Sequence, residues 1–173
     1  MLNTSKRFSE DPIGDPLEAL RRLVVDIMIG NCDGHLKNWS FILPDGRHVR
    51  LSPAYDIVST LTYGSDTMAL RFSGTKDPKI VDTNRLRRLA PLVKVDPKLL
   101  IREMWQTAIR ALDTWPQAMK DLPASDKIKN AILSRLGELA LVREVRSTMI
   151  QGHAPAAEPA QETNEQPTSA PNS

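Results

Sequence analysis

The sequence has one cysteine, Cys32, so no internal disulfide can form, and a reducing cytosol is the simplest compartment for it. Apolar runs are short. The longest, Leu23 to Gly30, is interrupted by Asp26 and falls far below bilayer length. The opening residues MLNTSKRFSEDP contain no apolar stretch of the kind a secretory signal requires. A soluble, cytoplasmic protein with no membrane partner is therefore expected. Glycine is equally sparse: eight residues, at 14, 30, 34, 46, 64, 74, 137 and 152, nowhere cluster into a phosphate-covering loop. Charge of one sign is also lacking, since 23 Lys and Arg face 21 Asp and Glu, a net charge of +2. That balance argues against a dedicated nucleic-acid binder.

The 173 residues fit one ordinary domain. Their last twenty, APAAEPAQETNEQPTSAPNS, hold three Glu, four Pro and no aromatic or branched aliphatic residue. Such a composition cannot bury enough apolar area to offset its ordering entropy, so residues 153–173 are expected to be a disordered tail. Residues 1–153 alone carry 23 basic and 18 acidic side chains, a net charge of +5, which suits phosphate or acidic partners without demanding them.

Periodicity divides the rest. Residues 1–14, polar and containing Pro12 and Gly14, are expected to be a flexible arm. Asp15 and Pro16 read as an N-cap and first helical residue, after which Leu17, Leu20, Val24, Ile27 and Met28 mark one helix face that Gly30 ends. A β-hairpin follows, with Trp39 to Leu43 and His48 to Leu51 joined by the turn signal Pro44-Asp45-Gly46-Arg47. Alternation at Met68, Leu70 and Phe72 suggests one more short strand. Beyond Gly74 three helices are predicted: Asn84 to Ala90, limited by Pro91; one from Asp96-Pro97, with Pro116 and Pro123 bracketing the loop behind it; and a long one from Ser125-Asp126 to Met149. The fold class is α+β and predominantly helical: a buried helix, a hairpin, then a C-terminal helical bundle.

The chemistry concentrates between Gly30 and Thr60. Asp33 and Asn38 are separated by four residues in the loop leaving the buried helix. Asp56 follows the second hairpin strand, and a hairpin returns the chain to its start. Two carboxylates and a carboxamide are thus expected at one end of the hairpin. Phosphoryl transfer uses that set: a carboxylate to accept or orient the proton of the attacking hydroxyl, and an amide oxygen with a second carboxylate to hold hard Mg²⁺ ions on the nucleotide phosphates. Lys37 fits as a cation near the transferring phosphoryl group. The order Asp, four residues, Asn, strand pair, Asp is that of protein kinases.

The stretch Ile29-Gly30-Asn31-Cys32-Asp33-Gly34-His35-Leu36-Lys37-Asn38, with Leu51-Ser52-Pro53-Ala54-Tyr55-Asp56-Ile57, closely resembles the HipA family of serine/threonine kinase toxins. That family reads Gly-Asn-x-Asp-x-His-x-Lys-Asn and then Pro-x-Tyr-Asp. The resemblance covers residues 15–152, the family's mostly helical C-terminal kinase lobe. It implies ATP and Mg²⁺ as cofactors, Asp33 as the catalytic base, Asn38 and Asp56 as metal ligands, and His35, Lys37, Asn38, Tyr55 and Asp56 around the nucleotide. It further implies transfer of the ATP γ-phosphate to a protein Ser or Thr, with an aminoacyl-tRNA synthetase as the family's best-known type of target. The expected partner is a helix-turn-helix antitoxin of the HipB kind, with nucleic acid met only inside that complex.

Several residues admit a second reading. His35 suits either a phosphate contact or loop packing, Lys37 a phosphate contact or a solvated surface, and Tyr55 packing as well as nucleotide. Cys32 has no cationic neighbour to mark it as a nucleophile. Arg85, Arg87, Arg88, Lys94, Lys98 and Arg102 read as a solvated helix face before they read as a binding patch. The family's N-terminal lobe, with its Gly-rich loop and ATP-anchoring Lys, is expected to be absent. The chain then reads as a truncated product or one half of a split enzyme that a separate N-lobe chain would complete. A catalytically inactive remnant acting as an interaction module is the alternative. A metallophosphoesterase is disfavoured because only His48 and His153 remain as further histidine ligands.

Overall fold

The computed structural model describes residues 1–151. Its elements run α1 (Leu2–Phe8), α2 (Gly14–Ile29), β1 (Phe41–Ile42), β2 (Arg50–Leu51), α3 (Thr83–Val93), α4 (Pro97–Asp121), α5 (Asp126–Glu138) and α6 (Ala140–Ile150), with 3-10 turns at Leu36–Asn38, Leu61–Tyr63 and Pro78–Ile80. The predominantly helical α+β class read from the sequence is the one observed. The tail assigned to residues 153–173 lies outside the described residues. No helix among the described residues is long and apolar enough to cross a membrane.

The core forms where the apolar stripe of α2 meets α4. Leu20, Val24 and Met28 are at most 1% exposed, as are Leu100, Met104 and Ala108 opposite them. This is the three- and four-residue spacing converted into an interface. Leu86 from α3 and Leu141, Val142 and Val145 from α6 complete the same cluster. The apolar surface removed from water here supplies most of the fold's driving force, at about 25 cal/mol per Å².

Five expectations change. The N-terminal arm is not loose: residues Leu2–Phe8 form α1, whose Leu2 and Ser5 are buried, and α1 packs on α2. Helix α2 starts one residue before the expected cap, and Asp11 does the capping, accepting from the amides of Gly14 (2.7 Å) and Ile13 (3.3 Å). Asp15 turns inward instead. Only 4% exposed, its carboxylate accepts from Ser9 Oγ (2.5 Å), the Leu51 amide (2.6 Å) and Arg50 Nη2 (3.0 Å). Burial pushes the Asp15 carboxyl upward, but the hydrogen bonds from Arg50, Ser9 and Leu51 outweigh it and leave it below the usual carboxylate range. The start of α2 is thereby fastened to the second hairpin strand.

The second pair of changes concerns where helices stop. Neither Pro91 nor Pro116 ends its helix; α3 runs on to Val93 and α4 to Asp121. Buried Ala90 and Val93 hold the last turn of α3, and Trp115 and buried Met119 flank Pro116, so packing overrides the missing hydrogen bond. By contrast, the helix expected to run unbroken to Met149 divides at Leu139, which is fully buried and extended (φ −79°, ψ 128°). There the Leu141 amide leaves the helical ladder and donates to the Val81 carbonyl at 3.1 Å. Residues 68–72 form no strand. A single bridge joins Phe72 and Thr75, and Met68 bonds the Lys76 carbonyl.

The hairpin is short and in register as Phe41 with Leu51 and Ile42 with Arg50. Short as it is, it returns the chain from Asn38 to Asp56.

Candidate active site

The site begins where α2 ends. Gly30 adopts a left-handed conformation (φ 75°), and its amide caps the helix on the Asp26 carbonyl. A side chain at that position would lie 2.4 to 2.7 Å from Leu61 carbons, so only glycine allows both the turn and the close approach. The chain then crosses Asn31, Cys32 and exposed Asp33, and closes a 3-10 turn over Leu36–Asn38.

Asn38 and Asp56 meet across the base of the hairpin. Asn38 Nδ2 donates to Asp56 Oδ2, while Asn38 Oδ1 is buried with no partner. Asp56 occupies left-handed backbone (φ 58°), a conformation that Asp and Asn tolerate better than other side chains and that turns its carboxylate onto the 3-10 turn. Tyr55 secures the same turn from the other side, donating its hydroxyl proton to the Lys37 carbonyl at 2.9 Å, with Ser40 Oγ at 3.3 Å. Tyr55 therefore packs the loop. Lys37 is exposed, and His35 is half-buried with Nδ1 unpartnered.

Asp33 does not touch Asp56 directly. Asn31, 5% exposed, joins them: its Oδ1 accepts from the Asp33 amide (3.1 Å), and its Nδ2 donates to the Asp56 carbonyl (3.3 Å) and to Asp26 Oδ1 (2.8 Å). Neither Asn31 nor Asp26 was among the site residues read from the sequence. The signal was there in Asp26, a carboxylate interrupting the longest apolar run on the buried helix. Burial pushes its carboxyl up to about 6, opposed by the Asn31 hydrogen bond. Thr60 closes the far side, its amide and hydroxyl both donating to the Gly30 carbonyl and its Oγ1 accepting from the Cys32 amide (2.9 Å).

Among the described residues, no group of three or more His, Cys, Asp or Glu could hold a metal ion. The Asn38–Asp56 pair nonetheless suits Mg²⁺. Asn38 turns its Nδ2 toward Asp56 and leaves Oδ1 buried and unpartnered; a half-turn of the carboxamide would set that oxygen and the carboxylate together as two hard donors, and Mg²⁺ in nucleotide sites takes its remaining ligands from phosphate and water. Asp26 and Asn31 also line an apolar groove of about 360 Å³, walled by Leu23, Ile27, Met68, Leu70 and Leu92, which neither Asn38 nor Asp56 borders.

The sequence pattern of the HipA-like C-terminal domain matches residues 1–115. A Sinorhizobium fredii protein provisionally named kinase Y4dM is 41% identical over 137 residues, covering 78% of this chain and 34% of that protein. A Haemophilus influenzae protein, also provisionally named a kinase, is 40% identical over 57 residues, 33% of this chain and 17% of its own length. Among solved structures, a chain from the Shewanella oneidensis toxin–antitoxin complex of HipA, HipB and operator DNA superposes with a TM-score of 0.67 at 24% identity, covering 84% of this chain and 37% of that one. The chain spans about a third of the length of the Sinorhizobium relative and of the Shewanella chain.

Proposed function

The chain belongs to the HipA-like C-terminal domain family, and from that premise we propose that it is the catalytic lobe of an ATP-dependent protein serine/threonine kinase of the toxin–antitoxin kind. The observation that carries this reading is the meeting of Asn38 and Asp56 at the hairpin base, with Asp33 tied to the same point through Asn31.

Each residue then has a task. The exposed Asp33 carboxylate orients the acceptor hydroxyl and takes its proton, while the hydroxyl oxygen bonds to the γ-phosphorus and the bond to the β-bridging oxygen breaks, releasing ADP. Asn38 Oδ1 and the Asp56 carboxylate would hold Mg²⁺, which when bound neutralises charge on the phosphate oxygens. Lys37, exposed on the 3-10 turn, presents a cation toward the phosphates, and His35 lines the same loop. The glycines of these residues are too scattered for a phosphate-covering loop, so in this reading transfer depends on a nucleotide-covering segment outside residues 1–173. The acceptor is a Ser or Thr hydroxyl on a cytoplasmic protein, by family resemblance an aminoacyl-tRNA synthetase, and a HipB-like antitoxin is the restraining partner.

The test is transfer of labelled γ-phosphate from Mg²⁺-ATP to protein Ser or Thr, with the chain assayed alone and mixed with the nucleotide-binding segment of a HipA-like protein. Transfer that appears on mixing and disappears in Asp33→Ala supports the reading. Folded protein that neither binds Mg²⁺-ATP by calorimetry nor transfers phosphate in either condition overturns it.

A further inference from the structure

We infer that Asn31 is the positioning residue that sets the placement of Asp33 relative to Asp56, a role that rests on the phosphotransfer reading for its chemistry but on geometry for its existence. A carboxamide has two donor hydrogens and one acceptor oxygen. Asn31 directs one donor to Asp26 Oδ1 (2.8 Å), the other to the Asp56 carbonyl (3.3 Å), and its oxygen to the Asp33 amide (3.1 Å). At 5% exposure the Asn31 carboxamide has no comparable alternative in solvent, so losing a bond leaves its own buried polar atoms short of a partner.

The three bonds do different work. The bond to Asp26, together with the Asn31 amide on the Asp26 carbonyl (2.8 Å), fixes the side chain against the last turn of α2. From that fixed point one side of the carboxamide holds the Asp33 backbone and the other the Asp56 backbone. Helix α2 is among the most deeply buried elements of the fold, so the two functional carboxylates take their separation from a rigid reference instead of from the loops that carry them. Gly34 leaves room for this: a side chain there would approach Asp26 Oδ2 to 3.1 Å and Asn31 Nδ2 to 3.6 Å.

A charge swap separates positioning from simple support. Asn31→Asp keeps the acceptor for the Asp33 amide, removes both donors and sets a carboxylate against Asp26. Adding Asp26→Asn restores the 26–31 hydrogen bond with its direction reversed, but not the donor to the Asp56 carbonyl. The single variant should lose thermal stability. The double variant should recover the parent's melting temperature and its Asp33 amide signal, yet keep displaced Asp56 and Ile57 amide signals in ¹⁵N NMR spectra. Its transfer rate in the complemented assay should stay about tenfold to a hundredfold low, the usual cost of removing a group that orients a metal ligand. Return of both the Asp56 signals and transfer in the double variant would overturn the inference, as would an Asn31→Asp protein indistinguishable from the parent. Asp26→Asn alone keeps a side-chain oxygen that can accept from Asn31 Nδ2 and should leave the Asp33 and Asp56 amide signals where the parent has them; displacement equal to that of Asn31→Asp would also overturn the inference. If the parent transfers no phosphate, the functional reading fails, while the amide signals still decide whether Asn31 brackets the two loops.

Discussion

The helical scaffold and the loop segment from Asn31 to Thr60 are built on different physics. In the scaffold, side chains such as Leu20, Met28, Leu100 and Met104 are wholly buried, and each is held by many weak contacts. In the loop segment Leu51 is the one buried apolar side chain. Its shape comes from single polar bonds: Asn38 to Asp56, Asn31 to three partners, Tyr55 to the Lys37 carbonyl, Thr60 to Gly30. Redundant contacts give stability that degrades gradually. Singular ones give a geometry that one substitution can remove, so effects on function and on stability should separate by region.

The sharpest break in that comparison is Asp33→Ala. Its carboxylate is exposed, so urea denaturation should give the parent's midpoint, while transfer in the complemented assay falls by about 10²- to 10⁴-fold. The mirror image is Leu20→Ala, which empties a fully buried position on α2. It should cost about 2–5 kcal/mol in the same denaturation and leave the Asp56 and Ile57 amide signals of the folded fraction unchanged.

Asp15 joins the two regions, so its loss should register in both. Asp15→Asn weakens the acceptor shared by Ser9, Arg50 and the Leu51 amide and should cost about 2 kcal/mol near neutral pH, the scale of hydrogen bonds to a charged group. Because its folded-state carboxyl lies below the usual value, the stability it gives is present above the unfolded pKa of 3.8 and lost as pH falls through the folded value. Denaturation against pH should therefore show a flatter acid limb in the variant.

Asp26 has the opposite sign and the smallest effect. Its carboxyl titrates near 6 against an ordinary 3.8. The folded state holds the proton more tightly, so its contribution is full below pH 3.8 and is lost as pH rises to about 6. Asp26→Asn should remove that decline and make the protein slightly more stable than the parent at pH 7, read from melting temperatures across pH 4 to 8.

The same contrast explains what the sequence made legible. The α2 stripe and the α2–loop–hairpin order could be read because periodicity and turn chemistry are local. So could the approach of Asn38 to Asp56, because a hairpin must return near its start. Helix α1 was hidden by its polar sequence, since only Leu2 and Ser5 are buried and their partners lie elsewhere in the chain. Pro116 was overridden by packing on both sides of it, and the break at Leu139 depends on the Val81 carbonyl, 60 residues upstream of its donor Leu141. Asn31 and Asp26 were visible as letters, but their shared bond crosses a helix end that the sequence shows only as a glycine.

The central claim is that the hairpin base forms a Mg²⁺-nucleotide phosphate site from Asn38 and Asp56 beside Asp33. Titration of the ¹⁵N-labelled chain with Mg²⁺-ATP tests it most directly. The account predicts amide shifts centred on residues 31–38 and 55–57, lost in Asp56→Ala. Shifts confined to other parts of the fold, or none at saturating nucleotide in the presence of the complementing segment, would contradict it.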